Sequence, residues 1–230
     1  MDFFVGGVAR GLHLLVGFDP EVYAIAWLSL RVSLAAVALA ALAAVPLGLL
    51  IGQNEFPGKR LLVVVFNTLL ALPTVVVGLV VYGLLSHRGP LGGLELLYTP
   101  SAMVLAQAVL AFPLITALVL AAVTTLDSRV APTALTLGAT RFQAAWAVLS
   151  EARFAVLAAL AAGFGRVITE VGAAIMVGGN IRHYTRTFTT AIALETSKGD
   201  FAQGMALGIF LLVLALAVNL AIHHLQMRWR

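Results

Sequence analysis

Apolar residues fill this chain in blocks rather than in alternation. Five blocks stand out, at about residues 23–52, 61–85, 101–125, 147–177 and 202–222, separated by polar stretches rich in glycine and proline. About 20 apolar residues at 1.5 Å each cross the roughly 30 Å hydrocarbon core of a bilayer, and every block reaches that length. The pattern predicts an all-α polytopic membrane protein with about five spanning helices in one domain, residues 21–226. Ahead of it, residues 1–20 are interrupted by Asp2, Arg10 and His13. That stretch reads as an amphipathic surface segment, neither signal peptide nor span.

Local signals refine the blocks. Tyr23 and Trp27 suit the headgroup belt, and Arg31 lies one turn inside, within reach of the interface. Pro73 and Pro113 fall within the second and third blocks, where each predicts a kink and a candidate gate, with Thr74 beside the first. Between the third and fourth blocks, residues 127–146 read as a helical hairpin. Asp127 or Ser128 caps a short helix, Pro132 is tolerated in its first turn, and Gly138 ends it. Thr140 and Gln143 then have the spacing of a capping box. From Arg141 to Val177 the pattern predicts one continuous helix of about 37 residues, near 55 Å, so its first third must leave the hydrocarbon. A polar segment, Asn180 to Lys198, is expected to hold one short helix, and Asp200 to cap the last span.

Composition sharpens the class. Of 230 residues 61% are hydrophobic and 10% charged, with a mean hydropathy of +1.03, where a soluble domain carries about 25% charged residues. Cysteine is absent, which excludes disulfides, thiolate metal sites and cysteine nucleophiles. The net charge of +4 is spread along the chain and forms no nucleic-acid patch. Lys59, Arg60, Arg129, Arg141, Arg153, Arg228 and Arg230 fall on one side of the predicted topology. Arg10, Arg88, Arg182, Arg186 and Lys198 fall on the other. The excess places the hairpin and the basic tail, residues 227–230, in the cytoplasm.

Candidate chemistry is sparse. No GxxxxGK[ST], GxSxG or HExxH occurs, so the chain reads as neither ATPase nor hydrolase, and no metal or cofactor is expected on it. His13, His87, His183, His223 and His224 all stand at span ends or in loops. Arg166 and Glu170 are the exception, four residues apart within the fourth block, in a stripe with Ala159, Gly163 and Ala173. Such a pair must face protein or water. It either lines a solute path or braces two helices, and the brace is the favoured reading, since a strong fixed charge would hold its solute. Asn180, Arg182, Arg186 and the neighbouring threonines offer donors to an oxyanion. They equally suit a loop that docks another protein.

The hairpin sequence PTALTLGATRF resembles the cytoplasmic motif of type I ABC importer permeases at Ala134, Leu137, Gly138 and Ala139. Pro132 and Thr133 stand where that motif has Glu and Ala. SLRVSL, ALPTVVVGL, TLGATRFQAAWAVLSEARF, TEVGAAIMVGGNI and TRTFTTAIALETSKGD resemble its molybdate, sulfate and tungstate branch, and above all the tungstate permeases. The likeness covers about Ile25 to Asn219. It implies the type I importer transmembrane fold in the inner membrane of a prokaryote. It also implies a homodimer, two cytoplasmic ATPase subunits holding ATP and Mg, and an extracytoplasmic oxyanion-binding protein. Ala134, Leu135, Thr136, Leu137, Gly138, Ala139, Thr140 and Arg141 would then couple the chain to the ATPase. A molybdate or sulfate permease is the alternative within the superfamily. Outside it, the alternative is an ion-coupled carrier using Arg166 and Glu170.

Overall fold

The computed structural model describes residues 19–228. Within them the chain is helical and without strands. In order come α1 (Pro20–Gln53), α2 (Lys59–Leu69), α3 (Thr74–Leu85), a 3-10 turn (Gly92–Leu94), α4 (Pro100–Thr124) and α5 (Val130–Thr136). There follow α6 (Arg141–Glu151), α7 (Arg153–Ile168), α8 (Gly172–Gly178), α9 (Phe188–Ser197) and α10 (Phe201–Arg228). The proposed surface segment lies almost wholly outside the described residues, as do the last two residues of the tail.

α1, α4 and α10 are long and apolar enough to span alone; α2 with α3, and α6 with α7, make two more crossings if each bent pair is one span. α1 and α4 lie parallel at the centre. A Cβ on Gly48 would stand 2.9 Å from Val119 and one on Gly52 2.6 Å from Val123, so the two backbones descend together. Their seam is built from small and branched residues that permit this approach, Ala36, Ala44, Ala111, Ile115 and Val119, all fully buried. α7 runs back up against α4, with Gly163 facing Ile115. Large apolar side chains such as Trp27, Leu42, Leu61 and Leu212 point outward, as lipid requires.

α1 begins beside the segment preceding α9, through Glu21 and Arg182, and the start of α4 meets the end of α8, where Tyr98 N–H donates to Val177 O. These elements define one face of the bundle, called the outer face below. The hairpin and the ends of α1, α4 and α10 lie at the opposite, inner face.

Three expectations need correction. The second block does not kink at Pro73 but breaks: α2 and α3 meet at 97°. Proline lacks the N–H that would continue α2 and drives Leu72 out of helical conformation, so Pro73 becomes the extended residue that starts α3. The helix expected from Arg141 to Val177 is three helices. At Ala152 the chain bends by 70° between α6 and α7, and Thr169 to Val171 separate α7 from α8. The first bend keeps Arg141, Gln143, Ser150 and Glu151 of α6 exposed while Ala144, Val148 and Ala152 stay buried. At the second break, side chains supply the bonds that helix continuation would have made. The Thr169 hydroxyl donates back to the Gly165 and Arg166 carbonyls, and the Glu170 carboxylate accepts from Ala173 N–H. Finally, neither Asp127 nor Ser128 caps α5. Arg129 precedes its first residue, and Asp127 instead accepts the Arg129 N–H at 2.9 Å to hold the preceding turn. The apolar span of α10, Phe201–Ala221, ends where expected, and the helix itself continues to Arg228.

Candidate functional site

The two interrupted crossings meet at their interruptions. α3 and α8 start side by side and run together toward the outer face: a Cβ on Gly172 would lie 3.1 Å from Thr74 Oγ1, and one on Gly78 only 2.8 Å from the Ala173 Cα. Only glycine at position 78 admits so close a backbone. The 12 residues of α3 put the break about 18 Å below the outer end of that helix, near the middle of a bilayer.

Arg166 and Glu170 sit at this level. Arg166 belongs to the last turn of α7 and Glu170 to the break, and Nη1 meets Oε2 at 3.0 Å. The environments of the partners differ. The Glu170 side chain is 3% exposed, that of Arg166 37%. Glu170 is also held by both ends of its residue, Oε1 accepting Ala173 N–H at 3.1 Å and the carbonyl accepting the Thr189 hydroxyl at 2.8 Å. Of the expected stripe, Ala159, Gly163 and Ala173 are buried within the bundle, while Thr169 and Pro73 are exposed beside the break. Pro113 stands apart from this arrangement as a buried residue within an uninterrupted α4.

The outer segment is organised by its threonines. Thr185 donates to Gly178 O and accepts Ile181 N–H, Thr187 and Thr190 form a capping box at the start of α9, and Thr189 reaches Glu170 O. Ser29 of α1 accepts Phe188 N–H at 3.0 Å. The expectation of free threonine donors for an oxyanion is thereby corrected: these hydroxyls are buried and engaged internally. Asn180, in the left-handed region at φ 50°, donates to Thr190 O. Arg182 grips Glu21 with two bonds, 2.9 and 2.6 Å, and the Arg186 guanidinium approaches the same carboxylate at 3.6 Å. That hydrogen bond and charge raise the Arg182 pKa above its already high ordinary value. Beside this clasp a cavity of about 460 Å³ opens between α1, α9 and α10, lined among others by Arg186, Glu195, Lys198 and Gln203. Glu21 escaped the sequence reading. Its position after Asp19 and Pro20 marks a helix start, but its partner lies 161 residues away.

At the inner face, α5 has no buried residue. Gly138 takes φ 88°, Ala139 N–H closes on Ala134 O at 3.0 Å, and both halves of the Thr140–Gln143 capping box form. The corner is therefore fixed, yet it displays apolar side chains: Leu137 is 84% and Phe142 80% exposed, with Leu135, Thr136 and Arg141 exposed beside them. Ala134 and Ala139 are half-buried. Above the hairpin lies a second cavity of about 910 Å³, bounded by the ends of α1 and α4 and by Gln53, Lys59, Asp127, Arg141 and Ala144.

The chain can be compared with known proteins over this whole architecture. It is 42% identical over 226 residues to the tungstate uptake system permease protein TupB of Peptoclostridium acidaminophilum, covering 98% of this chain and 99% of that one. With TupB of Campylobacter jejuni it shares 38% identity over 226 residues, 98% and 95% of the two chains. With the molybdenum transport system permease protein ModB of Escherichia coli it shares 31% over 196 residues, 79% and 83%. The family described as binding-protein-dependent transport system inner membrane component matches residues 44–230. An all-helical bundle with interrupted crossings, matched over that extent, belongs to the binding-protein-dependent transport system inner membrane component family.

Proposed function

We propose that this chain is the membrane-spanning subunit of an ATP-driven ABC importer that carries an oxyanion, tungstate, into the cytoplasm. Two copies form the passage, two separate ATPase subunits bind ATP and Mg beneath it, and an extracytoplasmic protein delivers the ion. The chain itself performs no hydrolysis. Identity of 42% over nearly the full length with a tungstate permease supports the choice of ion. The shared ancestry with a molybdenum permease keeps molybdate, and with it sulfate, as the second reading.

The observation that carries the mechanism is the joining of an exposed apolar hairpin to an interrupted membrane crossing. Backbone that is not helical is tolerated at membrane depth where protein covers it or water lines it. The side of the α3–α8 break with exposed Pro73 and Thr169 and half-buried Arg166 is accordingly assigned to the wall of the passage. The hairpin, Ala134 to Arg141, offers the ATPase a short helix with small residues at Ala134 and Gly138 and apolar contacts at Leu135 and Leu137. The excess of lysine and arginine at the inner face assigns it to the cytoplasm. Discrimination among oxyanions falls chiefly to the delivering protein, since a passage must release what it admits.

Reconstitution tests the reading. Uptake of tungstate should require this chain, the ATPase, the binding protein and ATP together. Uptake by this chain alone, driven by an ion gradient, would show a secondary carrier instead. A complete importer that prefers molybdate or sulfate would move the substrate assignment and leave the class standing.

A further inference from the structure

Resting on the assignment of the α3–α8 break to the passage wall, we propose that Glu170 is a release residue. Its buried carboxylate neutralises Arg166 so that a passing oxyanion meets a guanidinium too weakly charged to trap it.

An arginine at mid-membrane in an anion path poses a kinetic problem. A guanidinium offers a planar fork of N–H donors that matches a tetrahedral oxyanion, and low surrounding dielectric strengthens the match. Left alone, Arg166 would bind a divalent anion and keep it. The geometry answers this asymmetrically. The cation is 37% exposed, whereas its counter-charge is 3% exposed. The carboxylate is also anchored. Oε1 accepts Ala173 N–H, and the residue's backbone carbonyl accepts the Thr189 hydroxyl, contacts that hold Glu170 beside the arginine. Oε2 engages Nη1 alone, leaving other N–H groups of the same guanidinium outside the pair. An anion reaching Arg166 therefore meets directional donors without a net charge. A pair serving only to knit helices has no need of an exposed member.

The test is equilibrium binding of inorganic tungstate, with sulfate in parallel, to the detergent-solubilised complex of the full chain with its ATPase. E170Q keeps an acceptor for Ala173 N–H while removing the charge. It is expected to tighten tungstate binding by about tenfold or more, as restoring a full charge at low dielectric implies, and to slow uptake. R166Q and the double variant R166Q/E170Q should show no such tightening. If E170Q fails to accumulate, E170D, which withdraws the carboxylate by one methylene, should tighten binding in the same direction by a smaller factor. Affinity unchanged from the parent in the folded variant overturns the proposal. Because the chain has no cysteine, T169C reports separately on the wall itself through reaction with a charged thiol reagent in membranes. Labelled T169C with no tightening in E170Q would sink the release role and leave the passage standing. Unlabelled T169C would sink both.

Discussion

Arg166 closes the last turn of α7 and Glu170 stands beyond it in the break, their charged groups 3.0 Å apart. The pair thus bridges a helix end and a helix start, joining α7 to α8 where the backbone ladder is interrupted. Removing the cation leaves a buried carboxylate without its charge partner, a change that costs about 3–5 kcal/mol when the site is fully dry. R166A should lower the melting temperature of the detergent-solubilised protein, while R166A/E170A recovers a large part of the loss. Additive losses in that double-mutant cycle would show that the two side chains act independently.

Gly78 sets the spacing of α3 and α8. A Cβ there would stand 2.8 Å from the Ala173 Cα, a backbone atom that no side-chain rotation can move away. G78A should therefore separate the helices at a cost of about 1–3 kcal/mol, as overpacking does, and G78L should prevent correct assembly. Thermal unfolding monitored by fluorescence reads the first effect, and gel filtration the second. A G78A protein as stable as the parent would mean that the break is more pliant than its packing implies.

Gly138 holds the hairpin corner at φ 88°. An L-residue with a side chain pays about 1–2 kcal/mol to take that conformation. G138V should distort the corner without affecting insertion of the spans, and coupled transport should fall further than membrane abundance. Co-purification with the ATPase and ATP-driven uptake measure the two. Normal coupled uptake by G138V would remove the coupling role assigned here.

Leu137 and Phe142 are too exposed to contribute to the bundle's own core. L137D and F142D should accordingly leave thermal stability within about 0.5 kcal/mol of the parent, the range of surface substitutions. Loss of ATPase from affinity-purified L137D is the expected result. Retention would place the contact elsewhere on the inner face.

The Glu21–Arg182 clasp is half open to solvent, so its direct value is small and reduced by salt. E21R should weaken the tie between the start of α1 and the outer segment, and E21R/R182E should restore it. Protease accessibility of residues 180–187 follows this tie. Equal accessibility in all three proteins would mean that the threonine network alone orders the segment.

Most of the helical inventory was legible because lipid imposes a length rule on apolar runs. α1 and α4 end within about three residues of where hydropathy placed them, and the Thr140–Gln143 box and the Gly138 corner were written in local residue types. The breaks were not legible for a related reason. Composition is indifferent to whether an apolar stretch is straight, and nothing in EARF announces the bend at Ala152, where no proline or glycine stands. Pro73 announced a disturbance but not its size. The environment of Arg166 was hidden as well: i,i+4 spacing implied one continuous helix face, whereas Thr169 and Glu170 divert their side chains to local backbone groups and end the helix between the partners. The outer threonines looked like free donors because sequence shows a hydroxyl but not the carbonyl it faces.

The bend at Ala152 has a mechanical consequence. α6 is 11 residues long, an arm of about 16 Å, and it meets α7 at 70°. A sideways displacement of the hairpin at the tip of that arm does not push α7 along its axis; it arrives as torque about it. By simple geometry on an arm of that length, a shift of about 2 Å turns α7 by roughly 7°. Arg166, at the far end of α7, would then sweep sideways while Glu170, pinned by Ala173 and Thr189, stays in place. A straight helix of the same residues would have delivered a piston stroke instead.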